Sequence, residues 1–416
     1  MCWNAYYDAD AIRTYCAAHP EVKYLLGFNE PNFTNQANMT PEEAAAKWPD
    51  VRALADELGL QIVAPALNYS PNPPYQSPTR WMDEFVAIVG EDAFDFTAIH
   101  SYGGFGVLRD LATEFHNRYK KPVWVTEFCL WPDEGNPNAY VAPESQIASM
   151  IQSVEWLEKT DWIYRYAWFK AVGDSDAAKG PNYGLLIPGK AEDPRSLSQQ
   201  GVVYVNMPDF DPDVYHPVST TVGAGEFIAQ DGILLGANND PGANGAALEI
   251  TRFNAGASVD YQFDIPESGD YTLLMRYSGV GEPVRFDPTI GVYTPAGEGD
   301  EATAVELSAP QTLTLPGNDD TYMTAFFQMN LPAGHTTLRL VDTTPGRPSG
   351  IHISAIELRP GLHDESGVGM TAADADRIDV YSLQGFRVRE AADAADPLAG
   401  LPAGIYIARG KKIIKK

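Results

Sequence analysis

Apolar positions follow two different rhythms along this chain. Up to about residue 207, short apolar runs alternate with stretches in which apolar residues recur every three or four positions. The runs Lys23–Phe28, Gln61–Ala66, Phe94–Ile99, Pro122–Phe128 and Ile163–Phe169 predict buried strands. Between them, helices are predicted. Thr40-Pro41-Glu42-Glu43 has the form of a capping box, with Thr at the N-cap, Pro at the first helical position and Glu at the third. The helix it opens should reach Leu58 and end at Gly59. Met82, Phe85, Val86 and Val89 share one helical face, as do Leu108, Leu111, Phe115 and Tyr119, and Ile147, Ile151, Val154 and Leu157. Strands that recur every ~30 to 40 residues, each followed by a helix, predict a parallel sheet and an α/β fold.

From about residue 208 the period changes to two. Val259, Tyr261, Phe263 and Ile265 alternate with polar residues, and so do Tyr271, Leu273, Met275 and Tyr277. Leu338 and Leu340, then Ile353, Ile356 and Leu358, continue the pattern. A half-buried antiparallel sheet is predicted, most simply a β-sandwich. After a polar, Ala-rich linker at Thr371–Asp376, one strand is read within Arg377–Val388, where Gly385 is a turn-former, and a second at Pro402–Ala408. The chain then ends in a basic run, read as a solvated tail or part of a small folded appendage. The predicted domains are 1–207, 208–362 and 363–416.

Two of the predicted strands stop on a glutamate. "YLLGFNEPN" ends its apolar run at Asn29-Glu30-Pro31, and "KPVWVTEF" carries Glu127. In parallel α/β barrels the ligand site lies at the carboxyl ends of the strands. Two acids placed there can face one another, and glycosidic cleavage needs such a pair: one protonates the leaving oxygen, the other attacks the anomeric carbon or activates water. Taken singly, either glutamate can equally cap a helix or pair with a surface cation. His100 and Tyr102 follow the third strand, two residues apart and so on one side. They suit a sugar hydroxyl or a catalytic carboxylate, and His100 equally suits a structural role. Trp131 and Trp168 are candidate stacking platforms, with loop anchoring and core packing as the respective alternatives. Gly103–Gly106 is read as a loop, since no Lys-Ser or Lys-Thr follows to make a phosphate site.

Composition narrows the partner. A formal net charge of -27 excludes nucleic acid and anionic membrane surfaces, both of which need basic patches. No run of about 18 apolar residues occurs to span a bilayer. With 8 Trp, 21 Tyr and 17 Phe the chain suits a ligand that is stacked and hydrogen-bonded, although core packing uses the same residues. Cys2, Cys16 and Cys129 match no metal or redox spacing. The opening Met-Cys-Trp-Asn has neither the basic region nor the apolar core of a signal peptide.

"LLGFNEPN", "NMTPEEAAAKW", "FDFTAIHSYGG", "KPVWVTEF" and "YRYAWF", in that order, resemble the clan A glycoside hydrolase barrels, and most of all glycoside hydrolase family 128, the retaining β-1,3-glucanases. The resemblance covers residues 1 to 207. It implies that Glu30 is the acid/base, that Glu127 is the nucleophile and that Asn29 binds the sugar 2-hydroxyl, with no cofactor and no metal. It also implies a (β/α)8 barrel of which five strands are present, the fourth to the eighth. Met1–Asn4 resembles the end of the third, so the expectation is a barrel lacking its first two to three strands, a fragment that begins inside a fold. "VDYQFDIPESGDYTLLMRYSG" and "GIHISAIEL" resemble carbohydrate-binding modules of families 6 and 35, in which Tyr293, Tyr322, Phe326 or Phe327 would be the stacking aromatics. "IDVYSLQGFRVRE" and "LPAGIYIARGKKIIKK" resemble the C-terminal sorting domains of Bacteroidetes-type bacteria, which implies secretion or surface display through an export machinery. The expected activity is endo-hydrolysis of a β-glucan polysaccharide or oligosaccharide. The alternatives are another clan A endo-glycanase acting on a β-1,4-glycan, and a non-catalytic carbohydrate-binding surface protein.

Overall fold

In the computed structural model, five strands of the first unit lie side by side in chain order. The structure describes residues 1–132, 140–173, 182–187, 196–279, 289–294, 311–314, 321–344, 350–363, 377–382, 387–393, 398–408 and 411–415. The first unit spans Met1–Gly201. Its elements are α1 (Ala9–Ala18), β1 (Tyr24–Leu26), α2 (Pro41–Leu58), β2 (Gln61–Leu67), α3 (Pro78–Val89), β3 (Phe96–Ser101), α4 (Phe105–Tyr119), β4 (Val123–Phe128), α5 (Pro143–Glu158) and β5 (Ile163–Trp168). The sheet order is β1-β2-β3-β4-β5 and every pairing is parallel. This is the architecture that the strand–helix alternation predicts, a mixed α/β unit.

The capping box closes as its sequence dictates. Glu43 N–H donates to Thr40 Oγ1 at 3.2 Å, and Thr40 N–H donates to Glu43 Oε2 at 2.8 Å. Gly59 ends α2 at φ +66°, a conformation that costs glycine little. Trp48 of α2 then packs on the sheet at Gly27, where a Cβ would stand 3.0 Å from its ring. A side chain at position 27 would push this helix off the strand that leads to Glu30. One helix is absent from the sequence reading, α1. Asp8 caps it by accepting from Ala11 N–H at 2.9 Å, but none of its residues is buried, so its apolar pattern is too thin to read.

The sheet's two faces differ. Leu25, Ile62, Ile99 and Val125 alternate onto the face that the helices cover. Val63, Phe96, Ala98 and Trp124 cluster on the other, with Tyr24 and Leu26 against them. There the Arg165 guanidinium lies 4.9 Å from the Tyr24 ring centre and 5.3 Å from that of Trp124. Tyr164, stacked on Trp124, is 44% exposed. At the β1 edge the first residues run alongside the strand: Cys2 N–H donates to Leu26 O and Asn29 N–H to Trp3 O, each at 2.9 Å.

The second unit, Val202–Lys416, is built mainly of strands. Helix α6 (Gln199–Asn206) precedes them. The strands are β6 (His216–Pro217), β7 (Thr221–Gly223), β8 (Ala229–Asp231), β9 (Leu234–Ala237), β10 (Leu248–Phe253), β11 (Ser258–Ile265), β12 (Gly269–Gly279), β13 (Thr289–Tyr293), β14 (Gln311–Thr314), β15 (Met323–Leu331), β16 (Gly334–Asp342), β17 (Ile351–Pro360), β18 (Arg377–Ser382), β19 (Arg387–Asp393), β20 (Gly404–Ala408) and β21 (Lys411–Lys415). One sheet runs β15-β12-β17-β10-β9 with β7 on β17, and another β14-β13-β16-β11-β6 with β8 on β11. All pairings in them are antiparallel except β6 with β11. Tyr261, fully buried on β11, donates its hydroxyl to Ala224 O just past β7 at 2.8 Å, linking the two sheets.

Two expectations are corrected here. β12 is buried on both faces rather than one. Its Arg276 can be buried because Asp240 takes it in a two-pronged ion pair, Nη2 to Oδ1 at 2.6 Å, and Ser354 Oγ donates to Asp240 Oδ2 at 2.6 Å. The terminal segment holds four strands, not two, in the order β19-β18-β20-β21. The basic end is itself a strand: Ile413 pairs with Tyr406 and packs on the small core of Val380, Leu398 and Tyr406. Two adjacent isoleucines between lysine pairs, Ile413 and Ile414, show no period-two alternation. The Thr371–Asp376 linker and Gly385 lie outside the described residues.

Candidate active site

The strand β1 gives out at Leu26, but backbone pairing with β2 continues. Gly27 N–H donates to Val63 O, and Glu30 N–H to Ala66 O, each at 2.9 Å. Glu30 has φ 42°, left-handed backbone on a residue that Pro31 should force toward an extended conformation. Such conformations cost on the order of 1–3 kcal/mol and persist where neighbours over-determine them. Here the loop folds back on the strand end: Phe33 N–H donates to Glu30 O at 2.9 Å, Ala37 N–H to Asn29 O at 3.1 Å and Met39 N–H to Pro31 O at 2.9 Å. The two asparagines flanking Glu30-Pro31 do different work. Asn32 Nδ2 donates to Asn68 O at 2.8 Å and staples the loop after β2 to this one. Asn29 Nδ2 donates to Gln36 Oε1 at 3.2 Å.

His100 joins the two glutamates. It lies within β3, not after it, and the ladder sets it opposite Glu127 of β4, past a register shift at Ile99. Its Nδ1 is 2.9 Å from Glu30 Oε1 and 3.3 Å from Glu127 Oε2. The separation of those two carboxylate oxygens therefore cannot exceed the sum of 2.9 and 3.3 Å, about 6.2 Å. His100 is 1% exposed, while the side chain of Glu30 is 8% and that of Glu127 is 27% exposed. Glu127 is thus the more open of the two acids. Tyr102 donates its hydroxyl to Glu127 Oε2.

Burial, and then the negative charge of Glu127, push the Tyr102 phenol far above its usual range. It therefore keeps its proton, and its support of Glu127 is complete at any pH below the ordinary phenol range and fades only above it. A hydrogen bond to a charged group is worth ~1.5–3 kcal/mol. Tyr102→Phe is expected to lower kcat by about 10- to 100-fold, at 1.36 kcal/mol per tenfold, with KM and the melting temperature little changed. A rate equal to wild type in steady-state kinetics would remove Tyr102 from the site.

Aromatic rings line the Glu127 side. Trp131 meets Tyr102 edge-on, with ring centres 5.6 Å apart, and stacks on Tyr183 at 5.3 Å. Phe169 lies 5.5 Å from Tyr102 and 5.8 Å from Tyr183. Trp168 takes the core-packing alternative. It is 7% exposed, packs edge-on to Phe128 at 5.1 Å and donates its indole N–H to Tyr183 O at 2.7 Å. The residue that β5 delivers beside Tyr102 is the next one, Phe169. Alternation along "YRYAWF" carries that signal, because Trp168 and Phe169 must face opposite sides. Tyr183 and Gln36 were missed for a different reason: each reaches the site from a loop, where no period applies. Burial raises the Cys129 thiol well above its usual range, so this cysteine beside Glu127 stays protonated and inert. Gly103 and Gly104 form a loop, but Phe105 and Gly106 already belong to α4. Among the described residues no group of three or more His, Cys, Asp or Glu is placed to hold a metal ion.

The arrangement can carry out acid–base and nucleophilic chemistry with two carboxylates that approach one imidazole nitrogen. Residues 1–203 match the family model of the glycosyl hydrolase catalytic core. No curated protein matches the chain. Among solved structures, an endo-β-1,3-glucanase of glycoside hydrolase family 128, subgroup II, from Pseudomonas viridiflava is 33% identical, over 50% of this chain and 78% of that one, with a TM-score of 0.43. Its subgroup II counterpart from Sorangium cellulosum is 30% identical over the same shares, with a TM-score of 0.41. A subgroup I endo-β-1,3-glucanase from Amycolatopsis mediterranei, in complex with laminaritriose, is 30% identical over 44% of this chain and 74% of that one, with a TM-score of 0.36. By these comparisons, residues 1–203 are similar to the glycosyl hydrolase catalytic core.

Proposed function

We propose that the first unit is a retaining endo-β-1,3-glucanase that works by double displacement. The observation that carries this is the single His100 nitrogen within reach of both Glu30 and Glu127, in a chain whose relatives are β-1,3-glucanases. In the first step Glu127 attacks the anomeric carbon, the glycosidic C–O bond breaks, and Glu30 gives its proton to the departing oxygen. In the second, water attacks the same carbon, Glu30 takes the water's proton, and Glu127 leaves. Glu30 needs its proton in the first step, and His100 Nδ1 can accept a hydrogen bond from it. Glu127 needs its charge, and Tyr102 donates to it. Trp131 and Phe169 supply the ring faces against which a glucosyl unit packs. The parallel order of β1 to β5 and the aromatic face of Tyr24, Phe96, Trp124 and Tyr164 support reading the sheet as part of an eightfold barrel.

We propose domain boundaries at 1–207, 208–362 and 363–416. In this reading the two large sheets of the second unit are a carbohydrate-binding module, and the four-stranded sheet, which has its own small core, is a sorting domain for export. The substrate assignment is tested with laminarin, mannan and cello-oligosaccharides in a reducing-sugar assay. Laminarin is expected to be cleaved first into a ladder of oligosaccharides, with the newly formed reducing ends in the β-configuration by proton NMR. Preference for cello-oligosaccharides or mannan would overturn the linkage, and α-configured products would overturn retention.

A further inference from the structure

We propose that Gln36 is a positioning residue for this reaction: it holds the Asn29 side chain in the place where it meets the sugar. The inference rests on the proposed glucanase reading and on the family resemblance, which implies that Asn29 binds a hydroxyl of the glucosyl unit at the cleavage point. Every backbone polar group of Asn29 is already committed. Its N–H donates to Trp3 O at 2.9 Å, and its carbonyl accepts from Ala37 N–H at 3.1 Å. The side chain is the remaining freedom, and one hydrogen bond restricts it. Gln36 Oε1 takes one N–H of Asn29 Nδ2 at 3.2 Å, which leaves the second N–H and Oδ1 without a hydrogen bond among the described residues.

The loop is shaped to make this contact. Gln36 N–H donates to Phe33 O at 3.3 Å, and Asn38 turns through φ 49°, so that adjacent residues 36 and 37 hold the side chain and the carbonyl of the same asparagine. Asn29 is 7% exposed, so little bulk water competes for the bond. A hydrogen bond to the sugar 2-hydroxyl strengthens in the glycosidic transition state, so misorientation of Asn29 should appear in kcat more than in KM.

The test is a double-mutant cycle in the full chain, on whichever glycan the wild type cleaves. Gln36→Leu keeps the size and removes the acceptor. It is expected to lower kcat about tenfold with the melting temperature unchanged, and to cost nothing further in an Asn29→Ala background, since contacting residues couple and independent ones add. Gln36→Glu keeps an acceptor and is expected to stay within about threefold of wild type. A Gln36→Leu loss that persists in full in the Asn29→Ala background overturns the proposal, as does Gln36→Glu behaving like Gln36→Leu. Wild-type inactivity on every glycan sinks the hydrolase reading instead. The same cycle is then read as affinity for laminari-oligosaccharides by calorimetry, where additive losses again overturn the role of Gln36.

Discussion

Glu127→Ala is expected to lower kcat on β-1,3-glucan by on the order of 10⁴-fold, about 5 kcal/mol of activation free energy at 1.36 kcal/mol per tenfold. The loss is large because the covalent route closes completely: without a nucleophile, one difficult step is no longer divided into two easier ones. The variant should fold, since the side chain of Glu127 is 27% exposed and its partners lose a hydrogen bond rather than a packing contact. Removing the carboxylate opens a space beside His100 and Tyr102, on the face from which the proposed mechanism has Glu127 attack. Azide supplied in solution should enter it, restore turnover of an activated aryl glucoside and yield a glycosyl azide of inverted configuration. An azide of retained configuration would mean that Glu127 is the acid/base. A variant within about tenfold of wild type would leave it no catalytic role, because even general acid–base groups contribute ~10²–10⁴-fold.

The positions of these two acids along the chain were legible, and their geometry was not. Apolar runs of the first unit are long enough to show strands, and each was located to within a few residues. β3 lies two residues further on at both ends, continuing through His100 to Ser101, and this had a functional consequence. Because His100 sits inside the ladder, the register with β4 decides its distance to Glu127. Register between distant strands is a tertiary property that no local pattern encodes. The left-handed backbone of Glu30 was equally invisible, since Pro31 argues against it and only the returning loop of Phe33, Ala37 and Met39 enforces it. Trp168 shows the reverse case. Period-two alternation already sets it on the opposite side from Phe169. In the second unit the alternation on β11 and β12 was plain, whereas burial of Arg276 depends on Asp240, 36 residues away.

Glu30→Ala is expected to produce a loss that depends on the leaving group, and this is what separates an acid/base from a nucleophile. On β-1,3-glucan, where the departing oxygen is a poor leaving group, kcat/KM should fall by ~10²–10⁴-fold. On an aryl glucoside whose phenol departs without help, Glu127 can still attack, so kcat/KM should stay within about tenfold of wild type. The second step then fails, because water has no base at the anomeric carbon. The glycosyl–Glu127 ester should accumulate, visible as a burst of phenol followed by a slow steady state and as a covalent mass increase on the peptide that contains Glu127. Azide needs no base and should relieve the block, giving a glycosyl azide of retained configuration. Glu30 is 6% exposed and its backbone is held by Ala66 and Phe33, so the fold fixes where its carboxylate stands. Equal losses on the glucan and on the aryl glucoside, with no burst, would show that Glu30 orients substrate or supports His100 instead of moving a proton.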